Sequence, residues 1–312
     1  MKFVMCGLWH VHAEGYCATA AKYGEIVGVY EPDRARREAF CQKTGYMPLE
    51  TVEQMTLCGA DAAIVTAATS EHTELILALI EAGMDVFTEK VLALTSEECL
   101  RIAEAVRRKG VRFAISFPHL CNGGIRALKA LCDSGELGKI NYLRYRNVHT
   151  GASRDWLPPH FYSSKECGGG AMIDLGAHGM YVAHWILGLP VSAKSAFTRA
   201  CTNPSANEKN ADGVEDNAVT VMTYESGAIA INETGFVSEG YPMILEIGGE
   251  DGWAEWRGEH AYKTVNGKRE EVPFLPSLPS PLDSFCMGGE SDEWGIDAAL
   301  ALTRMMELAY GD

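Results

Sequence analysis

The chain has 312 residues, which at about 100–200 residues per domain predicts two domains. Its net charge of −15 argues against nucleic acid or an anionic membrane as a partner, because both require clustered Lys and Arg. The 10 cysteines form no C-x-x-C pair, and the sequence shows no signal peptide and no apolar run near 20 residues. We therefore expect a cytoplasmic protein with reduced thiols.

The first 117 residues alternate between short β-branched runs and amphipathic stretches. Alternating strands and helices imply βαβ units and a parallel sheet. Thr95 and Glu98 have capping-box spacing at the start of one helix, and Gly110 follows its end. The predicted strands are Lys2–Cys6, Glu25–Tyr30, Ala62–Thr66, Asp85–Thr88 and Arg112–Phe117. The predicted helices are His12–Tyr23, Asp33–Thr44, 70–82 and Ser96–Lys109.

The remaining residues follow another pattern, in which strand-like runs are separated by turn signals such as Ser226-Gly227. The two patterns together predict an α/β protein with two domains. The first, 1–118, is an N-terminal Rossmann dinucleotide-binding domain, and the second, 119–312, is a C-terminal α+β domain with a largely antiparallel open sheet. Because the outer face of an open sheet needs cover, we expect a homo-oligomer, a dimer or tetramer. The predicted helices are Ile125–Asp133, Ala171–Leu187 and Glu293–Ala309, and the strands include Ile140–Val148, Ala218–Tyr224, Ala228–Thr234 and Met243–Ile247.

The first strand-to-helix turn partly matches a dinucleotide fingerprint. Gly7 is the only glycine of a G-x-G-x-x-G pattern, and alone it could equally mark a tight turn. Glu31 lies about 20 residues further on, where a carboxylate accepts ribose hydroxyls and repels a 2′-phosphate, so NAD is favoured over NADP. Arg34 and Arg36 lie close by and could weaken this preference for NAD. Alternatively, Glu31 is a plain surface residue at the end of a strand. The candidate cofactor residues are Gly7, Leu8, Trp9, His10, Val11, Glu31, Pro32 and Arg34.

Several further segments resemble the Gfo/Idh/MocA oxidoreductase family, which includes glucose–fructose oxidoreductase and inositol dehydrogenases. They are the strand end 85–91 with Glu89-Lys90, the glycine-rich helix entry 168–178, the turn 67–72, and the stretch 134–140. The sequence departs from the family pattern at Trp9, at Val91 in place of a proline, and at 117–120, which lacks the Asn-x-Arg pair. The resemblance adds Thr66, Ala67, Ala68, His72, Glu89 and Lys90 to the candidate cofactor site.

Hydride transfer to or from an alcohol needs a proton acceptor and a donor that stabilises the oxygen. Asp174 and His178 are four residues apart on a predicted helix and share one face. Lys90 follows the carboxyl end of a parallel strand, where such sheets bind ligands. We expect His178 as acid/base, Lys90 as the oxygen-polarising donor and Asp174 as the orienting partner, and the resemblance implies the same positions. Alternatively, the His–Asp pair is a structural contact and Lys90 a surface lysine.

The predicted function is hydride transfer between NAD(P) and a secondary alcohol of a sugar, cyclitol or glycoside. A redox glycosidase that oxidises, eliminates and re-reduces is an alternative, and so is a non-catalytic dinucleotide-binding regulatory protein. Candidate substrate residues are His119, Arg154 and Trp156, with His149 and His160 beside them, although Trp156 also suits a core or an interface. His10 and His12 could suggest a metal, but the sequence identifies no third ligand, so we expect no metal.

Overall fold

The computed structural model describes residues 1–240 and 243–311. The chain forms two compact units, of which the first comprises Met1–Ser116 and Pro279–Thr303. The second comprises Phe117–Leu278 and the residues from Arg304 onward. All of 119–312 was expected in the second domain, but in the structure residues 279–303 belong to the first unit.

The first unit contains a parallel sheet with strand order β3–β2–β1–β4–β5–β6. This is the strand order of doubly wound dinucleotide-binding domains, and it confirms the predicted Rossmann sheet. The strands are β1 (Lys2–Cys6), β2 (Glu25–Tyr30), β3 (Pro48–Leu49), β4 (Ala62–Val65), β5 (Asp85–Thr88) and β6 (Phe113–Ile115). The helices between them are α1 (Ala13–Ala20), α2 (Arg34–Thr44), α3 (Val52–Thr56), α4 (Thr69–Glu81) and α5 (Ser96–Lys109).

Local sequence signals set the ends of α5 as predicted. The Thr95 hydroxyl accepts the Glu98 N–H at 3.2 Å, and the Glu98 carboxylate accepts the Thr95 N–H at 3.0 Å. Gly110 ends the helix in the left-handed region, with φ +66°. Both termini of this helix are therefore stabilised by residues that the sequence pattern identified.

The second unit contains a sheet with strand order β14–β13–β12–β11–β7–β10–β9–β8. Neighbouring strands in the described part of this sheet are antiparallel except that β10 runs parallel to β7, which confirms a largely antiparallel sheet. Its strands are β7 (Ile140–Val148), β8 (Ser192–Thr198), β9 (Asn217–Thr223), β10 (Ile229–Gly235), β11 (Ile244–Gly249), β12 (Gly252–Arg257), β13 (His260–Val265) and β14 (Lys268–Glu271). Its helices are α6 (Gly123–Asp133), α7 (Ser164–Cys167), α8 (Ala171–Asp174), α9 (Gly176–Leu187) and α10 (Pro204–Lys209).

The prediction of one helix over Ala171–Leu187 is wrong, because the helix is interrupted at Leu175 between α8 and α9. The His178 N–H donates to the Leu175 carbonyl three residues back, at 3.2 Å, which is a tighter turn than an α-helix makes. The Asn232 side chain on β10 donates to the Gly176 carbonyl at 2.7 Å. The sheet therefore fixes the start of α9 directly.

Helix α9 lies close against one face of this sheet. A Cβ added at Gly179 would stand 2.0 Å from the Asn232 side-chain oxygen, so only glycine permits this approach. The opposite face carries half-buried ion pairs, in which Arg144 bonds Glu233 at 2.7 Å and Glu246 at 3.1 Å. The expected oligomer on that face stays a prediction.

The segment 279–303 packs in the first unit through α11 (Pro281–Cys286), while α12 (Ile296–Tyr310) closes the chain. The Tyr23 hydroxyl donates to the Asp283 carboxylate at 2.9 Å, and the Arg112 guanidinium donates to the Phe285 carbonyl at 3.1 Å. The Phe285 ring also lies 5.9 Å from that of Phe87 on β5. Over the described ranges, the helices are too short or too polar to cross a bilayer.

Candidate functional site

The β1–α1 loop depends on glycine at one position only. Gly7 has φ +85°, and a Cβ there would stand 2.4 Å from the Ala67 Cα, so no larger residue fits. The Gly7 N–H donates to the Tyr30 carbonyl at 2.7 Å, and the Thr66 hydroxyl donates to the Gly7 carbonyl at 2.6 Å. The His10 N–H in turn donates to the Thr66 carbonyl at 3.0 Å. The ends of β2 and β4 therefore fix the loop from both sides.

Glu31 at the end of β2 lies against this loop rather than on the open surface. Its carboxylate is 2% exposed and accepts the Leu8 N–H at 2.6 Å and the Asp33 N–H at 3.0 Å. A carboxylate offers about four acceptor positions, so the capacity to accept ribose hydroxyls remains. Pro32 is exposed, and Arg34, also exposed, bonds Glu38 on its own helix at 2.7 Å.

A cavity of about 340 Å³ opens beside the loop. Leu8, His10 and Val11 line one side of it, and Arg36 and Lys43 of α2 line the other. The volume lies at the small end of the range for ligand pockets. The glycine turn, the acidic strand end and this cavity together fit part of a dinucleotide.

His72 is buried on α4 and contacts backbone carbonyl groups. Its Nε2 lies 3.1 Å from the Ala67 oxygen, and its Nδ1 lies 3.2 Å and 3.1 Å from the oxygens of Val91 and Leu92. Burial lowers the pKa of this imidazole, although the carbonyl contacts oppose the shift. His72 therefore joins the turn after β4, which contains Ala67 and Ala68, to the segment after β5.

Glu89 and Lys90 follow β5 at the carboxyl edge of the sheet, and both are buried. The Glu89 carboxylate bonds His12 Nδ1 at 2.7 Å and accepts the Lys90 N–H at 3.0 Å. It also accepts the Tyr16 hydroxyl, which lies 2.7 Å from the Ser116 hydroxyl. Burial acts to raise the pKa of Glu89, but His10 and His12 outweigh it and hold the pKa well below its ordinary value. The Lys90–Val91 peptide bond is cis.

In the second unit, the glycine run that opens α8 allows close packing. Gly168 has φ +89°, and a Cβ at Gly170 would stand 2.0 Å from the Glu215 carbonyl oxygen. The buried Glu215 carboxylate accepts the Gly170 and Met172 N–H groups at 3.1 Å and 2.9 Å, and the Tyr310 hydroxyl at 2.6 Å. Glu215 thus occupies the N-terminal end of α8, where a carboxylate is favourable.

Two imidazoles meet in the second unit. The rings of His119 and His178 are stacked with centroids 4.1 Å apart. His119 Nδ1 lies 2.6 Å from the Tyr145 hydroxyl, and His178 Nδ1 lies 2.7 Å from the Tyr181 hydroxyl. The Tyr181 hydroxyl also accepts the backbone N–H of His119 at 3.1 Å, so this tyrosine positions both histidines. Burial raises the pKa of Tyr145, which keeps its hydroxyl protonated.

The structure thus brings together His119 and His178, two of the residues that the sequence singled out. Asp174 lies on α8, one residue before the interruption at Leu175, whose backbone stays in the right-handed helical region, so its expected position on one face with His178 stays a prediction. The sequence analysis missed Tyr145 and Tyr181. For Tyr181 a signal was present, since it stands three residues after His178 on the same helix.

The remaining candidate substrate residues lie in the segment that follows β7. Arg154 is exposed and forms an ion pair with Glu239. Trp156 is 54% exposed, which excludes a core position within its unit, and its ring lies 4.6 Å from that of His149. His160 is half-buried next to Phe161.

The sequence matches two family descriptions that together cover most of the chain. Residues 1–117 match the oxidoreductase family with an NAD-binding Rossmann fold, and residues 125–255 match the GFO/IDH/MocA C-terminal domain. The chain belongs to the Gfo/Idh/MocA family. This confirms the resemblance drawn from the sequence and the expectation of a nicotinamide-dependent oxidoreductase.

Individual proteins that are similar to this chain share less than a third of its residues. A scyllo-inositol 2-dehydrogenase (NAD(+)) of Bacillus subtilis (strain 168) is 29% identical over 78% of this chain and 69% of its own length. A D-glucoside 3-dehydrogenase of Escherichia coli (strain K12) is 27% identical over 83% and 76%. A solved oxidoreductase from Agrobacterium radiobacter, in complex with NAD+, L-tartaric acid and magnesium, has a TM-score of 0.80 at 16% identity, covering 99% of this chain and 95% of its own. The last comparison shows the fold.

Proposed function

We propose that this protein transfers a hydride between NAD and a secondary alcohol of a sugar, cyclitol or glycoside. When bound, the nicotinamide gives or accepts the hydride. Lys90 donates a hydrogen bond to the reacting oxygen, and His178 takes the hydroxyl proton or returns it. His119 hydrogen-bonds the substrate beside His178. Arg154 and Trp156 are proposed to contact the outer part of the substrate, and Asp174 to orient it.

The observation that carries the proposal is the burial of Lys90 at the carboxyl edge of the parallel sheet. This lysine is 8% exposed and is the second residue after β5, at the edge where open parallel sheets bind ligands. Lysine is among the residues least often buried in proteins, so a buried lysine at this edge is a candidate ligand-binding residue. The names of the inositol and glucoside dehydrogenases among the relatives support a polyhydroxylated substrate.

The cofactor is proposed to be NAD, held by the loop from Gly7 to Val11 and by the turn from Thr66 to Ala68. Glu31 would accept its ribose hydroxyls, because its carboxylate already lies beside the loop. A 2′-phosphate would meet this buried negative charge, which disfavours NADP despite the exposed Arg34 and Arg36. His72 would act on the cofactor indirectly, by holding the backbone that follows β4 and β5. Glu89 would act through His10 and His12, which its carboxylate holds.

The test combines substitution with product analysis. Lys90→Ala and His178→Ala should each lower kcat by about 10²–10⁴-fold, the range for a positioned acid/base or donor, while NAD affinity stays near wild type. Lys22→Ala and His260→Ala, on exposed residues of the first and second unit, are the matched controls. NADH formation and products are followed across cyclitols, aldoses and glycosides. Unchanged turnover in Lys90→Ala or His178→Ala contradicts that residue's assigned role.

A further inference from the structure

Three side chains of metal-binding type converge where the β1–α1 loop meets the end of β5. His12 Nδ1 lies 2.7 Å and His10 Nδ1 lies 3.7 Å from the same Glu89 oxygen. The atoms that His10, His12 and Glu89 would offer as ligands all lie within 4.8 Å of one another. The sequence identified the two histidines but no third ligand, because Glu89 follows His12 by 77 residues.

We propose that His10, His12 and Glu89 bind one divalent transition-metal ion of the zinc type. In a tetrahedral site with bonds of about 2.0–2.1 Å, neighbouring ligand atoms stand about 3.3–3.4 Å apart. The distances from His12 Nδ1 and His10 Nδ1 to the Glu89 oxygen, 2.7 Å and 3.7 Å, lie on either side of this value. Two imidazoles and one carboxylate are also a recurrent zinc ligand set that leaves a fourth position open.

The surroundings hold the three side chains in place. The His12 N–H donates to His10 Nδ1 at 3.2 Å, and this hydrogen bond would be exchanged for the metal bond if an ion binds through that nitrogen. The Tyr16 hydroxyl and the Lys90 N–H both donate to the Glu89 carboxylate and hold it in place. Metal ligands that are oriented by such outer hydrogen bonds bind more tightly than unsupported ones.

Ligand chemistry and access decide which ion fits. The first turn of α1 carries a partial positive charge, and Lys90 follows Glu89 directly, so the attraction of one carboxylate for any dication is weakened and the two imidazoles must supply most of the affinity. Imidazole nitrogen selects Zn²⁺, Co²⁺ or Ni²⁺ over Mg²⁺ and Ca²⁺, which prefer oxygen ligands. The His12 side chain is 53% exposed, so an ion from solvent can reach the cluster.

The experiment measures ion binding by the full chain without cofactor or substrate. After chelator treatment, calorimetric titration with Zn²⁺ should give one site per chain, and Co²⁺ should give the visible absorption of a four-coordinate site. His12→Ala is the decisive variant, because its ring is 53% exposed and leaves little space behind; it also removes one hydrogen bond of Glu89, so circular dichroism must show that the variant folds. We expect its Zn²⁺ affinity to fall by at least about tenfold, as loss of a ligand exceeds the cost of losing an outer partner.

Glu89→Gln and His10→Ala should weaken binding similarly, with circular dichroism to verify folding. His260→Ala is the matched control, because His260 is an exposed histidine 3.4 Å from a glutamate, Glu271, and it should bind like wild type. The proposal is overturned if wild type binds no Zn²⁺, if His12→Ala binds it equally well, or if Mg²⁺ binds as tightly. The inference shares the loop that is proposed to hold NAD, but its test does not depend on the proposed function, because the titrations contain neither nucleotide nor alcohol.

Discussion

Glu215 is the residue whose removal should disturb the second unit most clearly. In Glu215→Ala, the N–H groups of Gly170 and Met172 and the hydroxyl of Tyr310 all lose their acceptor. A buried donor left unsatisfied costs about 1–3 kcal/mol. Three donors at the lower bound of this range give a loss of about 3 kcal/mol in the free energy of unfolding. The loss should stay near this value, because water entering the space left by the carboxylate would accept hydrogen bonds from the three donors.

The assay is urea unfolding followed by tryptophan fluorescence, with Glu225→Ala as control. Glu225 is exposed in a turn of the same unit, and its removal should change stability by less than about 0.5 kcal/mol. Tyr310→Phe removes one of the three donors, and it also removes the acceptor of the Ile173 N–H, so we expect a loss of about 1–2 kcal/mol.

The double variant tests the reasoning further. The bond between Glu215 and Tyr310 can be lost only once, so the combined loss should be about 1 kcal/mol smaller than the sum of the single losses. Because Glu215 holds the start of α8, which leads into the helix that carries His178, kcat should fall while NAD affinity stays unchanged. A loss below about 0.5 kcal/mol in Glu215→Ala, or strict additivity with Tyr310→Phe, would refute this account.

Three further predictions concern the first unit. Gly7→Ala should lower stability by at least about 1–2 kcal/mol in urea unfolding and abolish NAD binding in calorimetry, because its φ is positive and Ala67 blocks a Cβ. Glu31→Ala should weaken NAD binding by at least about tenfold, since the Leu8 N–H loses its acceptor as well. Burial lowers the pKa of His72, so its contribution is fully present above about pH 6.5 and is lost as the pH falls. Between about pH 7.5 and 5.5, His72→Asn should therefore lose less stability than wild type, and an equal loss would contradict this prediction.

The sequence predicted the first unit well because its signals are local. The spacing of Thr95 and Glu98 and the left-handed Gly110 decide the ends of α5 without help from the rest of the chain. Parallel strands also read as continuous apolar runs, since both faces of the sheet are covered. The packing of 279–303 in the first unit was not predicted, because no local sequence pattern shows that Tyr23 bonds Asp283.

The candidate site in the second unit was predicted only in part, for the same physical reason. His119 and His178 were both singled out, but His119 is held by Tyr145, a residue of the predicted strand Ile140–Val148 that no motif marks. Alternation along a strand determines which face a side chain occupies and leaves its partner undetermined. Glu215 lies 45 residues from Gly170, and the glycine run gave no sign of the carboxylate that holds it.

The departures from the glycine fingerprint have a conformational explanation in the first unit. A glycine is indispensable where φ is positive or where a Cβ has no room, and in this loop both conditions hold at Gly7. Trp9 is not among the non-glycine residues with positive φ, and His12 has φ −81°, so neither position requires glycine for its backbone. The hydrogen bonds from Thr66 and to Glu31 set the shape of the loop. The missing glycines therefore change what the loop presents to a ligand, the indole of Trp9 and the imidazole of His12 in place of bare backbone, and leave the turn itself intact.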